Sequence, residues 1–164
     1  MIISVNKNLE RIIFRKQRDE SSLNDRSNVV NNVNKYIEYF LNKNQYINQI
    51  GIYWPLKNEV DIRSLKDKFP VALPRCEKNK KLSFYSWDDK PLTKDFEGIL
   101  GPENSKLLTY KEISLIFIPC LSVDKNLVRL GYGGGYFDKL REDENWRNIP
   151  CIGLLTSNLS LIHI

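Results

Sequence analysis

The chain has 164 residues, 41% of them hydrophobic and 27% charged, which suits one packed domain and excludes a disordered or low-complexity segment. Its longest apolar run, residues 115–121, is broken by Pro119 and falls far short of the roughly 20 residues a membrane-spanning helix needs. A net charge of +5 favours anionic partners such as phosphates or nucleotides, although AT-rich coding explains part of it: 16 lysines and 17 asparagines stand against a single alanine, Ala72.

Residues 1–5 are too short for a signal-peptide core, and Glu10 and Asp19 argue against an acid-poor transit peptide, so a cytoplasmic protein is expected. The spacing predicts a helix over residues 7–20, with Leu9, Ile12 and Ile13 on one face and Arg11, Arg15 and Arg18 as a basic flank. Ser22 and Asp25 form a capping box for a second helix, whose Val29, Val33, Ile37, Phe40 and Leu41 recur at helical spacing. Residues 49–55 suggest a short buried strand and residues 61–68 a short helix. Strands are expected over 69–75 and 82–87, joined by a turn in the basic run Lys78–Lys81. A long loop is expected over 91–106, and the most hydrophobic strand, over 112–121, should be central. A glycine loop, a helix from about Tyr136 and a strand over 149–155 complete the order. Apolar strands alternating with helices indicate a parallel or mixed sheet covered on both faces. Cys76, Cys120 and Cys151 are far apart with no C-x-x-C spacing and suit buried thiols in a reducing compartment. His163 is the only histidine, which excludes a structural zinc site or a serine-type triad.

Four of the eight glycines fall within five residues of the run Arg129-Leu130-Gly131-Tyr132-Gly133-Gly134-Gly135-Tyr136-Phe137-Asp138. Glycines permit positive φ and close approach of backbone amides to a ligand, and between a strand and a helix start they make an anion site. Arg129 brings a guanidinium suited to phosphate, and Asp138 a carboxylate suited to Mg²⁺. There is no G-K-[ST], and in G-x-G-x-x-G register Tyr136 takes the last glycine's place, so neither familiar phosphate fingerprint fits. A wide glycine-rich turn is the bland alternative.

The decapeptide resembles the R-L-G-x-G-x-G-Y-Y-D signature of the 5-formyltetrahydrofolate cyclo-ligase (5,10-methenyltetrahydrofolate synthetase) family. Lys7-x-x-x-Arg11 followed by Arg18, Ser22 and Arg26 resembles the family's N-terminal helix, and Tyr53-Trp54-Pro55 through Glu59 and Asp61 its Y-x-P-x-x-x-E-v-d segment. Weaker likenesses run through Val71–Arg75, Gly98–Pro102 and Phe117–Asp124. The resemblance implies a three-layer α/β/α domain with a mostly parallel sheet, like the ribose-5-phosphate isomerase and CoA-transferase group, as a single domain over 1–164 with an incomplete C-terminal part. It implies a reaction in which ATP phosphorylates the formyl oxygen of 5-formyltetrahydrofolate, the folate nitrogen at position 10 attacks the activated carbon, and phosphate leaves to give 5,10-methenyltetrahydrofolate. By the same resemblance Lys7, Arg11 and Arg129 to Phe137 hold ATP; Trp54, Glu59 and Tyr132 to Tyr136 border the folate; and Asp138 holds Mg²⁺. Arg75 is a surface cation on this reading rather than a ligand, and a monomer that binds neither nucleic acid nor membrane is expected.

The chain departs from the family pattern at Gly101 (an acid), Cys120 (a glycine), Val123 (an aromatic) and Leu127 (a glycine, at a place suited to positive φ). The end from Thr156 to Ile164 does not resemble the family's closing segment, which carries a second acidic Mg²⁺ ligand. Two alternatives therefore stand beside an active ligase. One is a folate- or nucleotide-binding relative with little turnover. The other is a small nucleic-acid-binding domain using Trp54, Tyr85, Trp87 and Lys78–Lys81.

Overall fold

The structure, a computed structural model, describes residues 6–157. Residues 1–5, His163 and the closing stretch from Asn158, on which several expectations fall, lie outside them.

Strands β1 (Gln49–Gly51), β2 (Val71–Cys76), β3 (Leu82–Ser86), β6 (Ile113–Pro119) and β9 (Cys151–Leu154) form one sheet in the order β3-β2-β1-β6-β9. Of its four pairings only β2 with β3 is antiparallel. Strand β6 is interior, between β1 and β9, while the middle place goes to β1. Period-two alternation serves two cores. Leu115 and Phe117 face a cluster with Ile50, Leu73, Val33 and Ile37, whereas Ile116 and Ile118 face one with Ala72, Phe84, Leu140 and Ile149. An apolar residue is therefore needed at every position from Leu115 to Ile118, and the run there is continuous.

Helix α2 (Leu23–Asn44) lays Val33 and Ile37 on the first core, and its capping box forms as expected: Asp25 N donates to Ser22 Oγ and Ser22 N to Asp25 Oδ2, both at 3.1 Å. The short helices α3 (Tyr136–Leu140) and α4 (Glu144–Arg147) cover the other face, where Trp146 stacks on Phe84. The result is a three-layer α/β/α arrangement.

Four expectations are corrected. First, the Gln49–Pro55 strand ends at Gly51. Beyond it Tyr53 turns into the core and donates its hydroxyl to Val60 O at 2.7 Å, folding the chain back. Second, the 61–68 helix is a 3₁₀ turn over Arg63–Asp67. Third, the 91–106 loop is a hairpin of β4 (Leu92–Lys94) and β5 (Leu100–Pro102), whose tip Asp95 pins by accepting from the amides of Glu97 and Ile99. Fourth, Arg75 is no surface cation: its guanidinium donates to the carbonyls of Thr93, Lys94 and Gly101 and clamps that hairpin onto β2. A further small hairpin, β7 (Ser122–Val123) with β8 (Arg129–Leu130), delivers the glycine loop.

The first helix, α1 (Lys7–Asp19), docks by its basic flank. It buries no residue, and Leu9, Ile12 and Ile13 face outward. Its arginine flank makes the contacts instead. Cys120 is buried as expected; Cys76 and Cys151 are only half-buried, and all three cysteines are free. No helix among the described residues is long and apolar enough to cross a membrane.

Candidate active site

A cleft of about 640 Å³ opens between α1, the β4–β5 hairpin, the segment after β1 and the glycine loop. Every residue that the resemblance assigns to ATP, folate or Mg²⁺ lines it: Lys7 and Arg11 from α1, Trp54 and Glu59 from the segment after β1, and Arg129 to Asp138 from the loop. Stretches more than a hundred residues apart thus meet on one surface.

The loop is held open from both sides. Arg11 Nε donates to Gly131 O at 3.0 Å and Arg15 Nη2 to Tyr132 O at 3.2 Å. Gly133 stands at φ 104°, with the Arg11 guanidinium about 3.5 Å from where a Cβ would sit. A side chain there would be strained by the backbone conformation, although it would meet that arginine only at ordinary contact distance. At Gly131 a Cβ would lie 2.7 Å from Arg129 Nη1, so this glycine makes room for the guanidinium. Arg129 in turn donates to Asp138 Oδ1 at 2.9 Å and to Pro119 O at 3.3 Å, closing the loop across its two ends. Helix α3 has only five residues, so its dipole adds little, and any anion held here would rest on the loop amides.

Across the cleft, Glu59 is buried. Its Oε2 accepts from Leu56 N at 2.7 Å, and burial pushes the carboxyl upward despite the opposing Leu56 amide and the nearby Tyr132 and Arg18. Trp54 is half-buried: the Arg63 guanidinium lies 4.5 Å from its ring centroid, and Trp87 meets it edge-on at 6.0 Å. Both tryptophans also pack on the first core, which takes them from the flat aromatic platform a nucleic-acid surface would offer.

The site also contains residues sequence reasoning passed over. Tyr136 donates its hydroxyl to Glu97 Oε1 at 2.6 Å, so the hairpin tip reaches the start of α3. Phe14, Tyr53, Cys76, Asp95 and Asp124 line the walls. The signals for the hairpin's share were Asp95 with Gly98, which suit an Asx turn, and the weak family likeness over Gly98–Pro102. Burial pushes the Cys76 and Cys120 thiols up to about 12, so neither is a thiolate nucleophile near neutral pH. Among the described residues no group of three or more histidine, cysteine or acidic side chains is gathered for a metal ion. The Asp138 carboxylate is exposed, with Oδ1 on Arg129, and it fits a cation that takes one carboxylate and completes its shell with phosphate oxygens and water, as Mg²⁺ does.

Fold and cleft together define a three-layer α/β enzyme domain whose cleft sets a glycine loop opposite a buried carboxylate. The chain belongs to the 5-formyltetrahydrofolate cyclo-ligase family, which it matches over residues 4–158. It is 27% identical over 135 residues to the 5-formyltetrahydrofolate cyclo-ligase of Mycoplasma genitalium, spanning 82% of this chain and 76% of that one. To the enzyme of the same name from Haemophilus influenzae it is 28% identical over 109 residues, 60% of this chain and 57% of the relative. Among solved structures, the 5,10-methenyltetrahydrofolate synthetase of Mycoplasma pneumoniae superimposes with a TM-score of 0.71 at 22% identity, over 98% of this chain and 91% of that one. The Aquifex aeolicus synthetase gives 0.70 at 20% identity, over 96% and 81%. At these identities the two structures establish the fold.

Proposed function

We propose that the chain is a 5-formyltetrahydrofolate cyclo-ligase that uses ATP to close 5-formyltetrahydrofolate to 5,10-methenyltetrahydrofolate, releasing ADP and phosphate. Family membership supports this reading, and the observation that carries it to particular residues is the single cleft lined by every residue the family resemblance assigns to ATP, folate or Mg²⁺. In this reading the backbone amides of Gly131 to Gly135 cradle the triphosphate while Lys7, Arg11 and Arg129 neutralise it; Leu130, Tyr136 and Phe137 shape the loop's ends. Asp138 would hold Mg²⁺, which when bound neutralises phosphate charge. Trp54 offers an aromatic wall to the folate, the Glu59 carboxylate accepts its N–H groups, and Tyr132 to Tyr136 close the same space. The formyl oxygen attacks the terminal phosphorus, ADP departs, and the nitrogen at position 10 then displaces phosphate from the activated carbon. No side chain need act as a strong base, because positioning and charge neutralisation supply the catalysis. The chain acts as a monomer in the cytoplasm on this reading, and its three free cysteines suit a reducing compartment.

5,10-Methenyltetrahydrofolate absorbs in the near ultraviolet and 5-formyltetrahydrofolate does not. Incubation with 5-formyltetrahydrofolate, Mg²⁺ and ATP should raise that absorbance, and omission of ATP should abolish the rise. Absence of product while calorimetry shows both ligands bound would favour the non-catalytic binding relative.

A further inference from the structure

Behind the cleft, three elements meet at one polar cluster: the end of α1, the segment around Glu59 and the glycine loop. Arg18 Nη1 donates to the Tyr132 hydroxyl oxygen at 3.1 Å, and the guanidinium lies 5.6 Å from the Tyr132 ring centroid. The same guanidinium donates to Asp19 Oδ1, which also accepts from Asn58 Nδ2 at 3.0 Å. Arg18 thus grips the loop with one side and the Glu59 segment, through Asp19 and Asn58, with the other.

Arg18, Glu59 and Tyr132 line one small cavity behind the cleft, where the Tyr132 hydroxyl faces the Glu59 carboxyl. A guanidinium can only donate, so Arg18 uses the phenol oxygen as an acceptor and leaves its proton for another group. The Tyr53 hydroxyl, also beside Glu59, has already given its proton to Val60 O. Glu59 Oε1 is buried and accepts no hydrogen bond among the described residues, while Oε2 is held by Leu56 N. A buried carboxylate oxygen left so is costly unless a donor is poised for it. Tyr132 also stands at the variable position of the family signature, so nothing in that pattern calls for its phenol.

We propose that Arg18 and Tyr132 are positioning residues which aim the Glu59 carboxylate into the cleft and tie its setting to the conformation of the glycine loop. What Glu59 then does for the folate rests on the proposed function; the positioning itself does not. The groups facing Glu59 are Arg18 from α1, Tyr132 from the loop, Tyr53 from its own segment and Cys120 from the end of β6.

The test uses the full chain without ligand, labelled with ¹³C at the glutamate carboxyls, the Glu59 signal being assigned from Glu59→Gln. Tyr132→Phe keeps the ring and removes the hydroxyl, and Arg18→Gln removes the charge. Each should move the Glu59 titration midpoint upward, and Arg18→Lys should restore part of the shift. If Arg18→Gln lowers the yield of folded protein, Arg18→Lys gives the same comparison with a smaller displacement. Midpoints unmoved in Tyr132→Phe, or in both Arg18 variants, overturn the proposal. In turnover, Tyr132→Phe should raise the KM for 5-formyltetrahydrofolate severalfold more than that for ATP, and equal changes in the two would overturn the tie to Glu59. A wild-type chain that produced no methenyl product would sink the proposed function, while the ligand-free titration would still decide this inference.

Discussion

Leu127 stands at φ 61° in the turn between β7 and β8, where Asp124 Oδ1 accepts from the amides of Asn126 and Val128. A left-handed backbone costs an L-residue with a Cβ about 1–2 kcal/mol, and the side chain is 75% exposed, so it recovers little by burial. Leu127→Gly should therefore gain about 0.5–1 kcal/mol, the relief of strain exceeding the added flexibility of the unfolded chain. Urea unfolding with an unchanged m-value would show it, and a lower midpoint would contradict it. Glu59 works the other way. Burial raises its carboxyl above the usual 4.5, so the native state holds a proton that the unfolded state releases. Below 4.5 both states are protonated and the residue costs nothing; as pH rises through the native value the cost grows to its full size. Glu59→Gln should therefore match the wild type in acid and become increasingly more stable than it towards neutral pH. A pH-independent difference between the two would rule this out.

At the scale of elements, Arg75 is the side chain that bonds both strands of the β4–β5 hairpin. Arg75 satisfies carbonyls on both of its strands, and hydrogen bonds from a charged donor are worth about 1.5–3 kcal/mol. Arg75→Met keeps the stem and should lose about 2–3 kcal/mol, with amide exchange accelerated at Asp95–Ile99 before the sheet is affected. Equal protection in both proteins would assign the hairpin's hold to other contacts. This hairpin was not legible in the sequence, because its strands are three residues long and pair only with each other, too short for alternation to register. Strand β6 was legible because it is buried on both faces and carries an apolar run from Leu115 to Ile118. The orientation of α1 was not. Periodicity shows which residues share a helix face, but not which face docks, and the contacts that decide it run from Arg11, Arg15 and Arg18 to a loop more than a hundred residues away.

At the scale of the molecule, the cleft joins segments whose proximity no local pattern encodes. The glycine run was visible because its composition is abnormal, and Lys7, Trp54 and Glu59 were reachable only through the family resemblance. ATP with Mg²⁺ should raise the melting temperature in proportion to the logarithm of its concentration, about 2.7 kcal/mol at a hundred times Kd. Asp138→Asn should weaken this response strongly while costing no more than about 1 kcal/mol without ligand, because its pair with Arg129 is exposed. Full retention of the Mg²⁺-dependent shift would leave Asp138 a loop-closing residue only.

Helix α1 buries nothing, yet it forms one wall of the cleft. Its free energy of opening is then set by a few guanidinium–carbonyl contacts and not by the core, so its amides exchange through local detachment while those of β6 wait for global unfolding. A polyanion gripped by Lys7 and Arg11 would add its binding energy first to that weakest unit. The helix would go from the earliest part of the chain to fray to one that opens only after the ligand has left, and slow release of nucleotide and slow opening of α1 would become the same event.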